Sequence, residues 1–160
     1  MGGVRFSEPT RAVWFAPELR ATIPMNDWSL GFWLRYGLPY TLDPVPKDFS
    51  MSQANLGIAA GRQLLTSPLA LRLTVDPSIA LISMEGDGAD DHASGAKIEF
   101  QIGLGLLAAL PITSTWRGVL RLDGELSPAG LGRERRIDPL LPPLPIAQIG
   151  AALGIEAVVR

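Results

Sequence analysis

The strongest constraint on this chain is a two-residue hydrophobic period that recurs in several segments. In Lys97–Leu106, Ile98, Phe100, Ile102, Leu104 and Leu106 alternate with Lys97, Glu99, Gln101, Gly103 and Gly105. Successive side chains of a strand point to opposite faces, so this segment has one apolar face and one polar or small face. A helix would scatter the same five residues around its circumference. Leu69–Val75 repeats the pattern: Leu69, Leu71, Leu73 and Val75 lie on one face, Ala70, Arg72 and Thr74 on the other. Trp28–Tyr36 shows it a third time, with Trp28, Leu30, Phe32, Leu34 and Tyr36 opposed to Ser29, Gly31, Trp33 and Arg35.

The period predicts an all-β fold of a single domain, 1–160. Asp76-Pro77-Ser78 reads as a turn between Leu69–Val75 and a strand over Ile79–Glu85, which a polar loop, Gly86–Gly95, joins to Lys97–Leu106. Ala12–Ala16 and Leu19–Ile23 are short strand candidates flanking Pro17. Trp116–Gly124 reads as a strand running into an Asp123-Gly124 turn. Gln53–Leu65 is open between a helix, which Gly57 and Gly61 weaken, and a strand near Asn55–Ala60. Pro39–Asp48 is an irregular loop, and 126–145 is a proline-rich loop because Pro139, Pro142, Pro143 and Pro145 resist ladder pairing. Ile146–Ile149 and Ile155–Val159 read as two last short strands. The 17 glycines and 14 prolines imply many turns.

Composition narrows the function classes. Hydrophobic residues make up 47% and charged residues 19%, a low charge for a soluble surface. With 14 basic and 16 acidic residues, and only Arg133-Glu134-Arg135-Arg136 as a basic cluster, nucleic acid is not expected as a partner. The absence of cysteine excludes disulfides, thiolate metal sites and cysteine nucleophiles. No apolar leader segment is read at Met1–Thr10. The longest apolar run, Ile102 to Ile112, falls short of the about 20 residues needed for a bilayer span. No membrane association is therefore expected.

The order of these segments resembles concanavalin-A-like, laminin-G-type sandwich domains. Trp28-Ser29-Leu30-Gly31-Phe32-Trp33-Leu34-Arg35 is similar to their early strand F-T-I-x-F-W-V-K. Trp116, Val119, Asp123 and Gly124 resemble W-x-x-V-x-V-x-x-D-G, although Asp123 comes one residue early and Glu125–Gly132 replaces the following Y-V-N-G. Ile149-Gly150 and Gly154-Ile155-Glu156-Ala157-Val158-Val159 look like the closing I-G pair and last strand. The resemblance implies a two-sheet antiparallel sandwich, or jelly roll. Trp28, Leu30, Phe32, Leu34 and Tyr36 would then form the core between the sheets. Trp33, on the opposite face, would be covered by a loop such as Pro39–Asp48 or stand on an open concave sheet, where it would stack on a sugar ring or a partner.

No catalytic constellation is visible. Glu85 and Asp87 sit in a glycine turn, Glu99 stands alone on its strand, and His92, the only histidine, has no nucleophile elbow to serve. Asp87, Asp90, Asp91 and His92 form an acidic loop that is a candidate ligand site, but its spacing does not match an EF-hand, and no metal or cofactor is expected. The chain is therefore expected to be non-enzymatic. A lectin-like sandwich without an export signal suggests a structural protein on the surface of a phage-like virion, made in a host cytoplasm. It would pair with other virion subunits as a homo-oligomer, decorating the particle or attaching to surface glycans. The alternatives are a stand-alone carbohydrate-binding module, cytoplasmic in location, or an enzyme related to glycoside hydrolases.

Overall fold

A computed structural model describes residues 2–8, 13–41, 49–66, 69–87, 92–128 and 147–158. These form nine strands: β1 Gly2–Glu8, β2 Val13–Phe15, β3 Glu18–Met25, β4 Trp28–Thr41, β5 Phe49–Leu65, β6 Ala70–Asp87, β7 His92–Pro111, β8 Trp116–Leu126 and β9 Ala147–Val158. All belong to one sheet, in the order β2-β1-β9-β3-β4-β5-β6-β7-β8, with β8 also paired to β9. That last pairing closes the sheet on itself. The expected two-sheet sandwich is corrected: the fold is all-β, but it is a single ring.

The ring is antiparallel from β3 round to β9. Its seam is composite. Ala147–Leu153 of β9 pairs antiparallel with β1, whereas Ala157 and Val158 pair parallel with Ala21 and Thr22 of β3. β1 thus enters as a wedge at one end of the barrel, with β2 on its other side. Closure satisfies the backbone groups that two free sheet edges would expose.

Several strands run longer than the residue pattern predicts. Asp76-Pro77-Ser78 is no turn: β6 passes straight through it, and its ladder to β7 includes Pro77↔Ile102. The ladder to β5 lapses between Gly57↔Ser78 and Ala60↔Val75 without a change of register, which accommodates a residue lacking an N–H. Asp123-Gly124 likewise lies within β8, paired to β7 and β9. Gln53–Leu65 is strand, not helix, and the two closing strands are one. Of the proline-rich 126–145, the residues from 129 onward lie outside the described residues.

The two ends of the ring differ. At one end the connections are short: Asn26-Asp27 between β3 and β4, 66–69 between β5 and β6, and 112–115 between β7 and β8. Asn26 takes a left-handed conformation, φ 53°, which asparagine tolerates in a two-residue hairpin turn. The hydroxyl of Thr113 accepts from the backbone N–H of Thr115 at 3.2 Å and of Trp116 at 3.0 Å, holding another turn. At the opposite end the connections span 42–48, 88–91 and 127–146. We call these the turn end and the loop end.

The alternation seen in the sequence is present, with its faces reversed. Trp28, Leu30, Phe32, Leu34 and Tyr36 do not form a core: they point out of the ring and are exposed, Phe32 by 61%. Ile98, Phe100, Ile102, Leu104 and Leu106 on β7 do the same, as do Leu73, Val75, Ile79 and Leu81 on β6 and Leu120 and Leu122 on β8. The polar positions Glu18, Arg20, Arg35, Asn55, Arg72, Thr74, Asp76, Glu99, Gln101, Arg121, Asp123 and Glu156 face inward and are buried. A barrel of this width has an interior that side chains fill, so the polar residues constitute its core.

Candidate functional site: the filled lumen

The lumen is packed with paired ions. Arg121, fully buried on β8, donates from Nη1 to both carboxylate oxygens of Glu18, at 3.0 and 2.9 Å, and from Nη2 to Asp76. It thereby ties β8 to β3 and β6. Arg20 donates from Nε to Glu18 at 3.2 Å. Arg35 on β4 reaches Glu125 through Nη2, and its Nη1 lies 3.5 Å from Glu18. Toward the turn end, Glu156 of β9 accepts from Thr22 of β3 and from Arg72 of β6 at 3.0 Å. Glu156 therefore braces the composite seam, where β9 and β3 share little backbone pairing.

An amide cluster continues the network. Gln53 donates to Asn55 at 2.9 Å and to Gln101 at 3.2 Å; Asn55 donates to Gln101 at 2.7 Å; Gln148 donates to Gln53 at 3.0 Å. Ser127 donates to Glu99 at 3.1 Å. Apolar packing lies at both extremities. Leu107, Ala109 and Val119 cluster inside near the turn end. Met51, Ile82, Met84 and Ala93 are buried toward the loop end.

Trp33 belongs to this interior. It is 1% exposed, and the guanidinium of Arg35 stacks 4.7 Å from its ring centroid, that of Arg121 5.9 Å. Gly57, its cross-strand partner, makes room for the ring: a Cβ there would stand 2.5 Å from ring carbons. Gly61 does the same for Arg72, whose Cδ would lie 2.6 Å from an added Cβ. The two glycines that weigh against a helix are thus clearances for large lumen side chains. Gly57→Ala should cost about 1–3 kcal/mol, the range for overpacking a tight core. Urea unfolding followed by tryptophan fluorescence checks this, and Ala59→Gly, two residues along the strand, should be milder.

The other sequence-derived candidates are placed as follows. Asp87 and His92 face each other as the last backbone pair of β6 and β7, at the loop end. Asp90 and Asp91 lie outside the described residues. Trp33 is far from these strand ends in register, so the structure does not gather the five into one site. Among the described residues, no group of three or more His, Asp or Glu side chains is arranged to hold a metal ion. Sequence reasoning missed the lumen residues Glu18, Arg20, Arg35, Arg72, Asp76, Arg121 and Glu156. Their signal was present: charges recur at mid-strand, flanked on both sides by large apolar residues, as in Leu71-Arg72-Leu73 and Leu120-Arg121-Leu122.

At the loop end the pattern inverts. Ala54, Leu81 and Ile98 are register partners and form the last apolar outward row of β5, β6 and β7, while on β4 the outward apolar series runs past Tyr36 to Leu38. The next rows are Ser52–Ser83–Ala96 and Ser50–Glu85–Ser94. Here the outer face is polar, and the inner face carries Met51, Ile82 and Met84. From this boundary the strands β5, β6 and β7 project onward, being 17, 18 and 20 residues long against 11 for β8.

The fold and its lining define a closed antiparallel barrel with a polar, plugged interior and an apolar belt outside. No protein-family model matches the chain, and no curated protein matches it. Among solved structures, it is similar to the crystal structure of Neisserial surface protein A, with a TM-score of 0.60 and 12% identity. The match covers 96% of this chain and 89% of that one. At that identity the likeness shows the fold.

It overturns the lectin-like sandwich and, with it, the virion and glycan-attachment expectations that were built on it. It also overturns the expectations of no membrane and of a virion-surface or cytoplasmic location, since the shared fold is that of a bacterial surface protein. No helix among the described residues is long and apolar enough to cross a membrane. That criterion does not bear on strands, which span with about 9–11 residues when tilted.

Proposed function

We propose that this chain is a membrane-spanning β-barrel of the outer-membrane type, a non-enzymatic surface protein whose plugged lumen is a structural brace and whose loop end is presented outward. The observation that carries this reading is the inversion of faces: leucine, isoleucine and phenylalanine outside, arginine and glutamate inside. Soluble monomers rarely expose contiguous apolar patches beyond a few hundred Å². Membrane barrels alternate apolar-out and polar-in along every strand, with an apolar band about 25 Å tall. Trp28 to Leu38 spans ten residue steps, about 33 Å along the strand, or about 25 Å of height at a tilt of about 40°.

The boundaries fit the same reading. Trp28 and Trp116 are exposed near the turn end and Tyr36 near the loop end, the positions where aromatic girdles sit. Barrels of this type have short turns on the inner side and longer connections outside. That assigns the loop end, with its serine-bearing extension, to the exterior. The likeness to a Neisserial surface protein supports the placement. Side chains that fill the lumen argue against a diffusion pore.

Brominated acyl chains test the proposal directly. In phosphatidylcholine vesicles, the fluorescence of Trp28 and Trp116 should be quenched strongly by bromine in the chains, and that of Trp33 should not. Equal sensitivity of all three, or folding in buffer without lipid or detergent, would falsify the membrane reading.

A further inference from the structure

Among outward-facing strand positions whose side chains are described, two carry charge: Arg62, near the turn end, and Glu85, beyond the apolar rim at the loop end. They bracket the apolar belt from opposite sides. Arg62 is the direct cross-strand partner of Trp28. Its guanidinium lies over the Trp28 ring, 5.9 Å from the centroid. The pair sits where β4 begins, beside the Asn26-Asp27 turn, and the N–H of Gln63 donates to the backbone oxygen of Asp27 at 2.7 Å, fixing the strand to that turn.

A tryptophan at the edge of a bilayer's apolar layer settles at headgroup level. Here it also presents a flat surface that holds the arginine side chain along the outer wall. A guanidinium held at that level is within reach of the headgroup layer, and a guanidinium fork matches the oxygens of a phosphate in a bidentate way. We infer that Arg62 and Trp28 together form a docking point for the phosphate of an anionic phospholipid in the leaflet on the turn side. The inference rests on the membrane reading above. It adds lipid selectivity at one place on the barrel wall, which an apolar belt alone does not supply.

Trp116 is a built-in control. It lies at the same end and is 49% exposed, but its register partner on β9 is Ala157. One tryptophan therefore has a cation across from it and the other a methyl group.

The test uses the full chain in phosphatidylcholine vesicles containing a minor fraction of headgroup-proximal spin-labelled phosphatidylglycerol or, separately, equally labelled phosphatidylcholine. Trp14 and Trp116 are replaced by phenylalanine to report Trp28, and Trp14 and Trp28 to report Trp116; Trp33 stays as an unquenched background. Quenching of Trp28 should be about fivefold more effective with the phosphatidylglycerol label, the size expected for one arginine near an anionic surface. Trp116 should show no such preference. Arg62→Gln should abolish the Trp28 preference, and Arg62→Lys should retain only part of it. Equal quenching of Trp28 by both labels, or a preference that survives Arg62→Gln, overturns the docking point alone. If neither label quenches either tryptophan, the membrane reading itself falls, and the docking point with it.

Discussion

Replacing Arg121 with methionine should unfold most of the protein under conditions where the parent chain is stable. The side chain is fully buried and holds Glu18 and Asp76 at once, with Asp123 3.7 Å from its Nε. Methionine fills much of the same volume, so the loss is one of charge pairing rather than of packing. Breaking the network from one side leaves Asp76 facing Arg20 at 3.7 Å and Glu18 without its bidentate partner, in a medium that solvates charge poorly, at a cost of about 3–5 kcal/mol. A compensated variant separates this cause from shape. Arg121→Met combined with Asp76→Asn removes one cation and one carboxylate together and leaves Glu18 paired with Arg20 at 3.2 Å and near Arg35 at 3.5 Å. It should recover a large part of the loss, because replacing a whole buried ionic group is often close to neutral. Urea unfolding in micelles, followed by tryptophan fluorescence, measures both. A double variant as unstable as the single one would show that the guanidinium acts through its packing on Trp33.

Much of this architecture was legible in the residues, and the missing part was a sign. The two-residue period of Lys97–Leu106 correctly put Ile98 and Phe100 on one face and Glu99 and Gln101 on the other. Periodicity reports that the faces differ; it does not say which face meets the core. In water the apolar face turns inward, and on that assumption the sandwich implied by the laminin-G-type resemblance placed Trp28 to Tyr36 in its core. The low charge of 19% beside 47% hydrophobic residues was the hint against it.

A second hint was the recurrence of Gly57, Gly61, Gly103 and Gly105 on the face opposite the large apolar residues. Gly57 makes room for Trp33, Gly61 for Arg72, Gly103 for Asp76 and Glu125, and Gly105 for Thr74 and Arg121 inside a narrow barrel. Such clearances are invisible until neighbouring strands are in register. Pro77 and Asp123-Gly124 misled for a related reason. Local turn chemistry is only a preference, and ladders on both sides of a strand in a closed sheet outweigh it. The setting of Arg121 between two leucines was visible in the residues, but its pairing was not, because its partners Glu18 and Asp76 lie 103 and 45 residues away.

The second large effect concerns the outer wall, where the two environments make opposite predictions. Leu104 is 60% exposed in the middle of β7, with Ile102 and Leu106 on the same face. On a soluble protein, an arginine at so exposed a position would shift stability by no more than about 0.5 kcal/mol. On a barrel in a bilayer, the same arginine sits near the midplane and should cost about 2–4 kcal/mol.

Position along the strand supplies the control. Ser83 also faces outward, but lies one row beyond the Ala54–Leu81–Ile98 rim. Ser83→Arg should fall in the range of about 0–1 kcal/mol that applies near the interface. Equilibrium folding of Leu104→Arg and Ser83→Arg into phosphatidylcholine vesicles therefore tests depth and not merely hydrophobicity. The difference between them should vanish in a short-chain micelle thin enough to let the arginine reach water, since its long stem allows the charge to snorkel. A penalty at Ser83 equal to that at Leu104 would move the boundary of the apolar belt beyond the serine rows, and the loop-end extension would then lie within the membrane.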